Sequence, residues 1–345
     1  VQAIVNCFAP LLYVTFGNQY GIGLEKISFL ILLNFGTQLL VDFLSSQFAA
    51  RISPRVLTAG AHFMVTVGMV GLAIFPDRFP TPFAGLATAT LLNAVGGGLL
   101  EVMISPTVEA CPTKNKASLM SLLHSFFSWG QVLVVLGSTL WFRFLGIETW
   151  KTLACLWGIL PLLNGIWFLI VPLYTLEDAT QGQGLRKREL LGSSVFWVLM
   201  LLMACAGAAE SAMSQWASAF AEKGLNLSKS AGDLMGTMMF AVMMGLSRVF
   251  YAKMSRRLSL EKFMFACGVL CVGAYLLAAL SPLPLLGLVG CGLCGLSVGI
   301  LWPGTYNLAA SRLRGGGTAM FALRALGGDL GCAGGPALVG MISDR

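Results

Sequence analysis

Long apolar stretches separated by short polar breaks fill the chain from end to end. Eleven stretches are bounded by charged residues, proline or glycine, and most reach the roughly 20 residues that a helix needs to cross a bilayer. They are numbered here as segments 1 to 11. Their predicted spans are 1–18, 27–50, 56–76, 83–107, 117–142, 151–174, 194–221, 230–252, 260–280, 282–309 and 317–342.

The composition excludes a soluble globule and a disordered chain. Of 345 residues, 57% are hydrophobic and only 11% are charged, whereas soluble domains carry about 25% charged residues. The short loops also leave no room for an extramembrane catalytic domain. We therefore predict an all-α polytopic membrane protein. The chain opens at Val1 as if inside a helix, so we expect a truncated first segment and a twelfth segment after Arg345.

The two halves of the chain repeat each other weakly. The longest polar stretch, 175–193, separates the predicted halves 1–174 and 194–345 and reads as a linker. Five short matches pair the halves at offsets of 197 to 205 residues, among them Arg51 with Arg256. Two parallel six-helix bundles related by pseudo-symmetry, with substrate between them near the bilayer midplane, are the expected architecture.

Basic residues predict the orientation. Thirteen Lys and Arg residues lie in the loops after the even-numbered segments and seven in the alternate loops and at the C-terminal end. The richer side is expected to be cytoplasmic, together with the N-terminus and the linker. The net charge of +7 is thus assigned to topology, and no nucleic-acid partner is expected.

Cysteine and glycine motifs predict no cofactor and no metal. Eight of the nine cysteines fall within apolar runs, and the pair Cys291 and Cys294 lacks the second pair of a metal site. Gly315-Gly316-Gly317 lacks the following Lys-Ser/Thr of a phosphate loop. Absence of a nucleophile–base pair or a metal cluster likewise argues against an enzyme.

The loop after segment 2, Ser46 to Arg55, resembles the loop motif of major facilitator superfamily transporters, Gly-x-Leu-x-Asp-Arg-x-Gly-Arg-Arg. Arg51 and Arg55 fit the motif. The resemblance implies a gating loop that contains these two arginines, with Arg256 at the repeated position.

A finer resemblance is to the fucose permease-like sugar:proton symporters. Residues Gly97 to Pro106 are similar to that family's Gly-x-x-x-Glu-x-x-x-Asn-Pro pattern, with Glu101 on its membrane carboxylate. His124 stands where the family has Gln, and Asn6, four residues before Pro10, takes the place of its proton-linked Asp. The resemblance implies a monomeric transporter in the bacterial inner membrane.

Charged residues inside the apolar segments mark the candidate site, since each costs about 3 kcal/mol to insert. Glu101 is the first candidate for proton coupling, and a structural ion pair with Arg324 is the alternative. Glu210 on segment 7 precedes Gln215 and Trp216, and this trio suits a polyol. For Trp216 an interfacial position is equally consistent.

Arg324 on segment 11 has two readings with different substrates. It neutralises Glu101 or Glu210, or its planar guanidinium grips a substrate carboxylate. Its repeat mate His124 binds substrate, relays protons or packs in the bundle. Asn307 is a further candidate for substrate binding.

These patterns predict a secondary transporter that moves a sugar or similar small polar solute by alternating access, coupled to protons. Its expected partners are the solute, protons and the lipid bilayer. An organic-anion carrier that uses Arg324 and a non-transporting membrane sensor are the alternatives.

Overall fold

The helical prediction is confirmed by a computed structural model, which describes residues 1–48, 52–110, 112, 116–173, 191–254, 258–281, 283–312 and 317–343. Within these ranges the chain forms helices and no strand. Eight helices of this described part are long and apolar enough to cross a membrane. All eleven predicted segments are occupied by helix.

The first six segments begin and end close to their predicted bounds. Segment 1 is divided into two helices by a 3₁₀ turn, and a second 3₁₀ turn, Ile147–Thr149, precedes segment 6. The helices are Gln2–Cys7 and Tyr13–Tyr20 around the turn Ala9–Leu12, then Leu24–Phe48, Pro54–Arg78, Pro82–Ala110, Lys116–Leu145 and Trp150–Ile170.

The later segments contain more irregular helix. Segments 7 and 8 include π-helical turns at their adjacent ends, and segment 10 is divided in two. The elements are Ser194–Ala219 with the π turn Phe220–Gly224, Lys229–Ala231 with the π turn Gly232–Met238 and the helix Met239–Met254, Leu260–Leu280, Pro284–Val298 with Leu301–Arg312, and Gly317–Ser343.

Proline accounts for both divided segments. Pro10 lies in the 3₁₀ turn of segment 1, where its ring and missing N–H prevent a continuous α-helix. In segment 10, Pro303 cannot donate to the carbonyl of Gly299, four residues earlier, and the helix is interrupted around that glycine. The freed carbonyl of Gly299 becomes important for the site described below.

The chain divides into two compact units, residues 1–179 with 340–345 and residues 180–339. Most of the predicted linker lies outside the described residues. The N-terminal unit buries Phe8, Phe16 and Trp150 almost completely, and the last two rings meet edge to face with centroids 5.4 Å apart. These contacts join segments 1 and 6.

Segments 7, 8, 9 and 10 form the main apolar core of the C-terminal unit. Phe240 and Met264 pack there with four buried cysteines, Cys267, Cys271, Cys291 and Cys294. All eight cysteines of the described residues are free thiols. The Cys291 and Cys294 pair thus lies in helix packing.

Glycines allow helices to approach closely where a side chain would not fit. A Cβ added to Gly295 on segment 10 would overlap the carbonyl oxygen of Phe240 on segment 8, whereas one added to Gly268 would meet no atom of the described residues within 4 Å. We expect Gly295→Ala to destabilise the protein by about 1–3 kcal/mol through overpacking.

Gly268→Ala is the matched control for that substitution. It should raise stability by up to about 1 kcal/mol, because alanine favours helix over glycine. Thermal unfolding in detergent measures both variants. Equal melting temperatures for the two would show that the close approach at Gly295 does not exist.

Candidate functional site

Buried side-chain amides connect segments 1 and 2 in the N-terminal unit. The Oδ1 atom of Asn6 accepts hydrogen bonds from Asn34 Nδ2 at 3.1 Å and from Gln38 Nε2 at 3.0 Å. The three residues are at most 9% exposed. In an apolar bundle such amides must bond to one another, so Asn6 is the acceptor at the centre of this pair of bonds.

Gln2 extends these contacts to Glu101 on segment 4. Its Nε2 atom donates to Gln38 Oε1 at 2.8 Å and to Glu101 Oε2 at 3.3 Å. Gln2, Asn6, Asn34, Gln38 and Glu101 are together called the amide network below. The network ends on a carboxylate that is exposed, so the described residues leave its outer end uncovered.

A second carboxylate stands beside Glu101. Carboxylate oxygens of Asp42, on segment 2, and Glu101 lie within 4.8 Å of each other. Among the described residues, no lysine or arginine forms an ion pair with Glu101. Two ionised carboxylates at this separation repel each other, and a proton bound to one of them removes the repulsion.

The structure brings two predicted site residues together in this unit and gives them different environments. Glu101 is exposed, while Asn6 is buried and its oxygen already accepts two internal hydrogen bonds. Gln2, Asn34, Gln38 and Asp42 complete the arrangement. The sequence carried a signal for them, since all four are polar residues within apolar runs.

In the C-terminal unit, an ion pair joins segments 7 and 8, which correspond to segments 1 and 2 in the predicted repeat. Arg248 Nη2, on segment 8, lies 3.6 Å from Glu210 Oε2, on segment 7. The two side chains are 25% and 17% exposed. The sequence predicted Glu210 as a site residue and suggested Arg324 as one possible counter-charge, but Arg248 provides a charge for it here.

Arg248 is held by a second contact that follows from the proline in segment 10. Its Nε atom donates to the carbonyl of Gly299 at 3.1 Å, the carbonyl that Pro303 leaves without a helical donor. The guanidinium therefore joins segments 7, 8 and 10. Arg248 was not among the candidates identified from sequence; the available signal was a single arginine near the end of the apolar run 230–252.

Gln215 and Trp216 lie within helix packing. Gln215 is 4% and Trp216 is 8% exposed. The indole Nε1 of Trp216 donates to the carbonyl of Pro336 at 2.8 Å, so this N–H bond joins segments 7 and 11. The ring is positioned by the protein itself, which differs from the open aromatic face that a sugar platform needs.

A further buried ion pair lies near the π turns at the end of segment 7 and the start of segment 8. Lys229 Nζ is 2.7 Å from Asp233 Oδ1, and the Asp233 side chain is fully buried. Ser218 donates to the same carboxylate oxygen, and Lys229 also donates to Ser218 at 3.2 Å. Each buried charge is thus compensated, which favours a structural role.

Among the predicted gating residues, the structure describes Arg55. Its guanidinium donates to the carbonyl of Leu169 near the end of segment 6, where helix carbonyls lack an internal partner. Arg51 and Arg256 lie outside the described residues. The side chains of His124, Asn307 and Arg324 lie outside them as well, although the surrounding helices are described.

Family comparison adds to this geometry. A family model described as the Major Facilitator Superfamily matches residues 1–336. The chain belongs to the major facilitator superfamily. No curated protein sequence matches it.

Solved transporter structures share the fold at low sequence identity. A bacterial homologue of the human lysosomal transporter Spinster has 15% identity and a TM-score of 0.77, over 99% of this chain and 79% of that one. The xylose transporter of E. coli has 13% identity and a TM-score of 0.77, over 99% and 87%. The fucose:proton symporter of E. coli has 16% and 0.65, over 99% and 89%.

These comparisons establish an integral membrane protein with the fold of superfamily transporters, whose structural neighbours are transporters rather than enzymes. At such low identity, the neighbours establish the fold alone.

Proposed function

We propose that this protein is a secondary transporter that moves a sugar or a similar small neutral polar solute by alternating access, coupled to protons. The observation that carries the proposal is the exposed carboxylate of Glu101 at the end of the amide network. Sugar transporters among the structural neighbours support the choice of solute class.

Proton binding at Glu101 gives the coupling its physical basis. A charge in the middle of a bilayer costs about 3 kcal/mol on insertion scales, and Asp42 adds a second negative group close by. Protonation reduces this cost during the step in which the site changes sides. Each proton that moves through 100 mV supplies about 2.3 kcal/mol to drive uptake.

Glu210 provides hydrogen-bond acceptors for the solute. Arg248 lies 3.6 Å from its carboxylate, and an opposite charge at this distance stabilises the ionised form. Both carboxylate oxygens have several acceptor positions, so one can face Arg248 while another accepts a solute hydroxyl. Neutral hydroxylated solutes suit this arrangement better than anions, which Glu210 would repel.

A ligand screen separates a sugar carrier from an organic-anion carrier. Purified protein in detergent is heated with D-xylose, L-fucose and other neutral sugars, and in parallel with succinate, citrate and gluconate. We expect a neutral sugar to raise the melting temperature, because a ligand at 100 times its Kd stabilises the folded state by about 2.7 kcal/mol.

Stabilisation by carboxylates alone would contradict the proposed solute class and favour the alternative built on Arg324. The Glu210→Gln variant tests whether a sugar effect arises at the site, since its shift should shrink. Glu261→Gln is the matched control, because Glu261 pairs with Arg312 at an exposed position, with 57% of its side chain accessible.

A further inference from the structure

The side-chain amide of Gln2 is used on one side only. Its Nε2 atom donates two hydrogen bonds, at 2.8 Å to Gln38 and at 3.3 Å to Glu101. Its Oε1 atom is buried and accepts none from the described residues. A buried acceptor without a donor is unfavourable, so a donor placed beside this oxygen would stabilise it.

The position beside Gln2 Oε1 lies along segment 4. A Cβ added to Gly97 would lie 3.2 Å from Gln2 Oε1, so the oxygen sits directly over this glycine. Glu101 follows Gly97 by four residues and therefore lies on the same face of the helix, one turn away. Gly97 provides the space for the amide, and Glu101 lies within its reach.

Protonation changes Glu101 from a pure acceptor into a donor. The ionised carboxylate can only accept, as it does from Gln2 Nε2, whereas the protonated acid carries an O–H. Rotation about the last side-chain bond of Gln2 exchanges Nε2 and Oε1 in front of Glu101. The amide can thus face both states of Glu101, and its oxygen gains this donor only in the protonated one. The turn also takes Nε2 away from Gln38 Oε1, so the hydrogen bonds of Gln38 change with it.

We propose that Gln2 is a positioning residue that detects the protonation state of Glu101 and transmits it to segments 1 and 2. Gln2 bonds Gln38, and Gln38 bonds Asn6. A rotation at Gln2 therefore changes the hydrogen bonds between the segments that carry these residues. The inference rests on the proposed function, since it requires a proton on Glu101.

A titration must separate the signal of Glu101 from the signals of other titratable groups near it in this unit. Segment 1 presents the neutral amide of Gln2, and segment 2 presents the neutral amide of Gln38 behind it and the carboxylate of Asp42 within 4.8 Å. Asp42 is thus a second titratable group beside Glu101 among the described residues of this unit. A signal from Glu101 is identified by its loss in Glu101→Gln, whereas a signal from Asp42 survives that change.

Two substitutions at Gln2 should move the titration of Glu101 in opposite directions. Gln2→Glu keeps the shape but places a like charge beside Glu101, and Gln2→Lys places an opposite charge there. We expect the midpoint to rise for the first and to fall for the second, each by about one pH unit or more. Infrared spectroscopy of the protonated carboxyl band, recorded across pH on the purified full chain, measures the midpoint without a transported solute.

Matched controls use an exposed position of segment 1. Asn18→Asp and Asn18→Lys change the net charge identically on the second helix of segment 1, 16 residues farther along the chain, and should leave the midpoint in place. Gln2→Met separates a positioning role from a structural one, because it has a similar size and no charge but lacks the N–H that the ionised carboxylate accepts. Loss of this donor should raise the midpoint of Glu101, whereas a purely structural role for Gln2 predicts an unchanged midpoint, which would overturn the inference. If Gln2→Met fails to fold, an unchanged midpoint in either charged variant overturns the inference instead.

Failure of the proposed function gives a different result. A band that belongs to Glu101 must titrate in the wild-type protein and must be missing in Glu101→Gln. If there is no such band, Glu101 binds no proton, and both proton coupling at Glu101 and the inference about Gln2 are wrong. If the Glu101 band titrates but its midpoint does not change when Gln2 is substituted, proton coupling at Glu101 stands and only the role of Gln2 is rejected.

Discussion

Proteoliposomes containing Glu101→Gln should exchange labelled solute but should not accumulate it. Glutamine retains a hydrogen-bonding side chain of the same shape next to Gln2 but cannot take up or release a proton. With wild-type protein, one proton per solute and a gradient of one pH unit allow about tenfold accumulation. The variant should remain at equal concentrations inside and outside, a loss of about tenfold.

Counterflow of preloaded, unlabelled solute is the companion measurement for Glu101→Gln, because exchange requires binding and alternating access but no net proton movement. Glu25→Gln removes an exposed carboxylate at the start of segment 2 and should accumulate solute as the wild type does. Accumulation that survives in Glu101→Gln would exclude Glu101 as the coupling residue.

Arg248→Met should lower the stability of the protein more than the loss of any exposed ion pair. The substitution leaves the half-buried carboxylate of Glu210 without its counter-charge and the Gly299 carbonyl without its donor. Breaking a buried pair costs about 3–5 kcal/mol, and partial exposure of this pair reduces the expected cost to about 2 kcal/mol. Thermal unfolding in detergent measures the effect.

A double-mutant cycle separates the ion pair from the other contacts of Arg248. Glu210→Gln combined with Arg248→Met should cost less than the two single changes added together, because the second change removes an unpaired charge. Arg312→Met is the control, since its pair with Glu261 is 60% and 57% exposed and its loss should leave the melting temperature unchanged. Strict additivity at Glu210 and Arg248 would show that the two charges do not interact.

Helix positions were predictable from the sequence because hydropathy alone determines them. A lipid environment requires about 20 apolar residues per crossing, and this requirement is local to each segment. The prolines that divide segments 1 and 10 were visible too. The hydrogen bond that follows from Pro303 was not predictable, because the freed carbonyl of Gly299 accepts it from Arg248, which lies on another segment.

Site residues were predictable in type but not in pairing. Glu101 and Glu210 stood out as charges in apolar runs. In the structure Glu101 accepts a hydrogen bond from Gln2, and Glu210 pairs with Arg248. The partner of Glu210 depended on which helices are neighbours, so Arg248 could not be distinguished from Arg324 by sequence spacing. Asn6 was identified by its position before Pro10, but its burial between Asn34 and Gln38 is a property of packing.

Trp216 illustrates the same limit from the other side. An aromatic ring near a carboxylate and an amide on one helix is the pattern of a sugar-binding surface, and the sequence offered nothing to distinguish this from packing. The bond from its indole N–H to Pro336 joins residues 120 positions apart. Contacts at such separations are absent from any local pattern.

Proton movement on addition of solute tests the central proposal most directly. Wild-type proteoliposomes without a preset gradient are given the neutral sugar that stabilises the protein, and the pH of the weakly buffered outer medium is recorded. A proton-coupled transporter predicts alkalinisation that accompanies sugar entry and is absent with Glu101→Gln. Sugar entry without any change of pH, or no entry at all, would contradict proton-coupled transport.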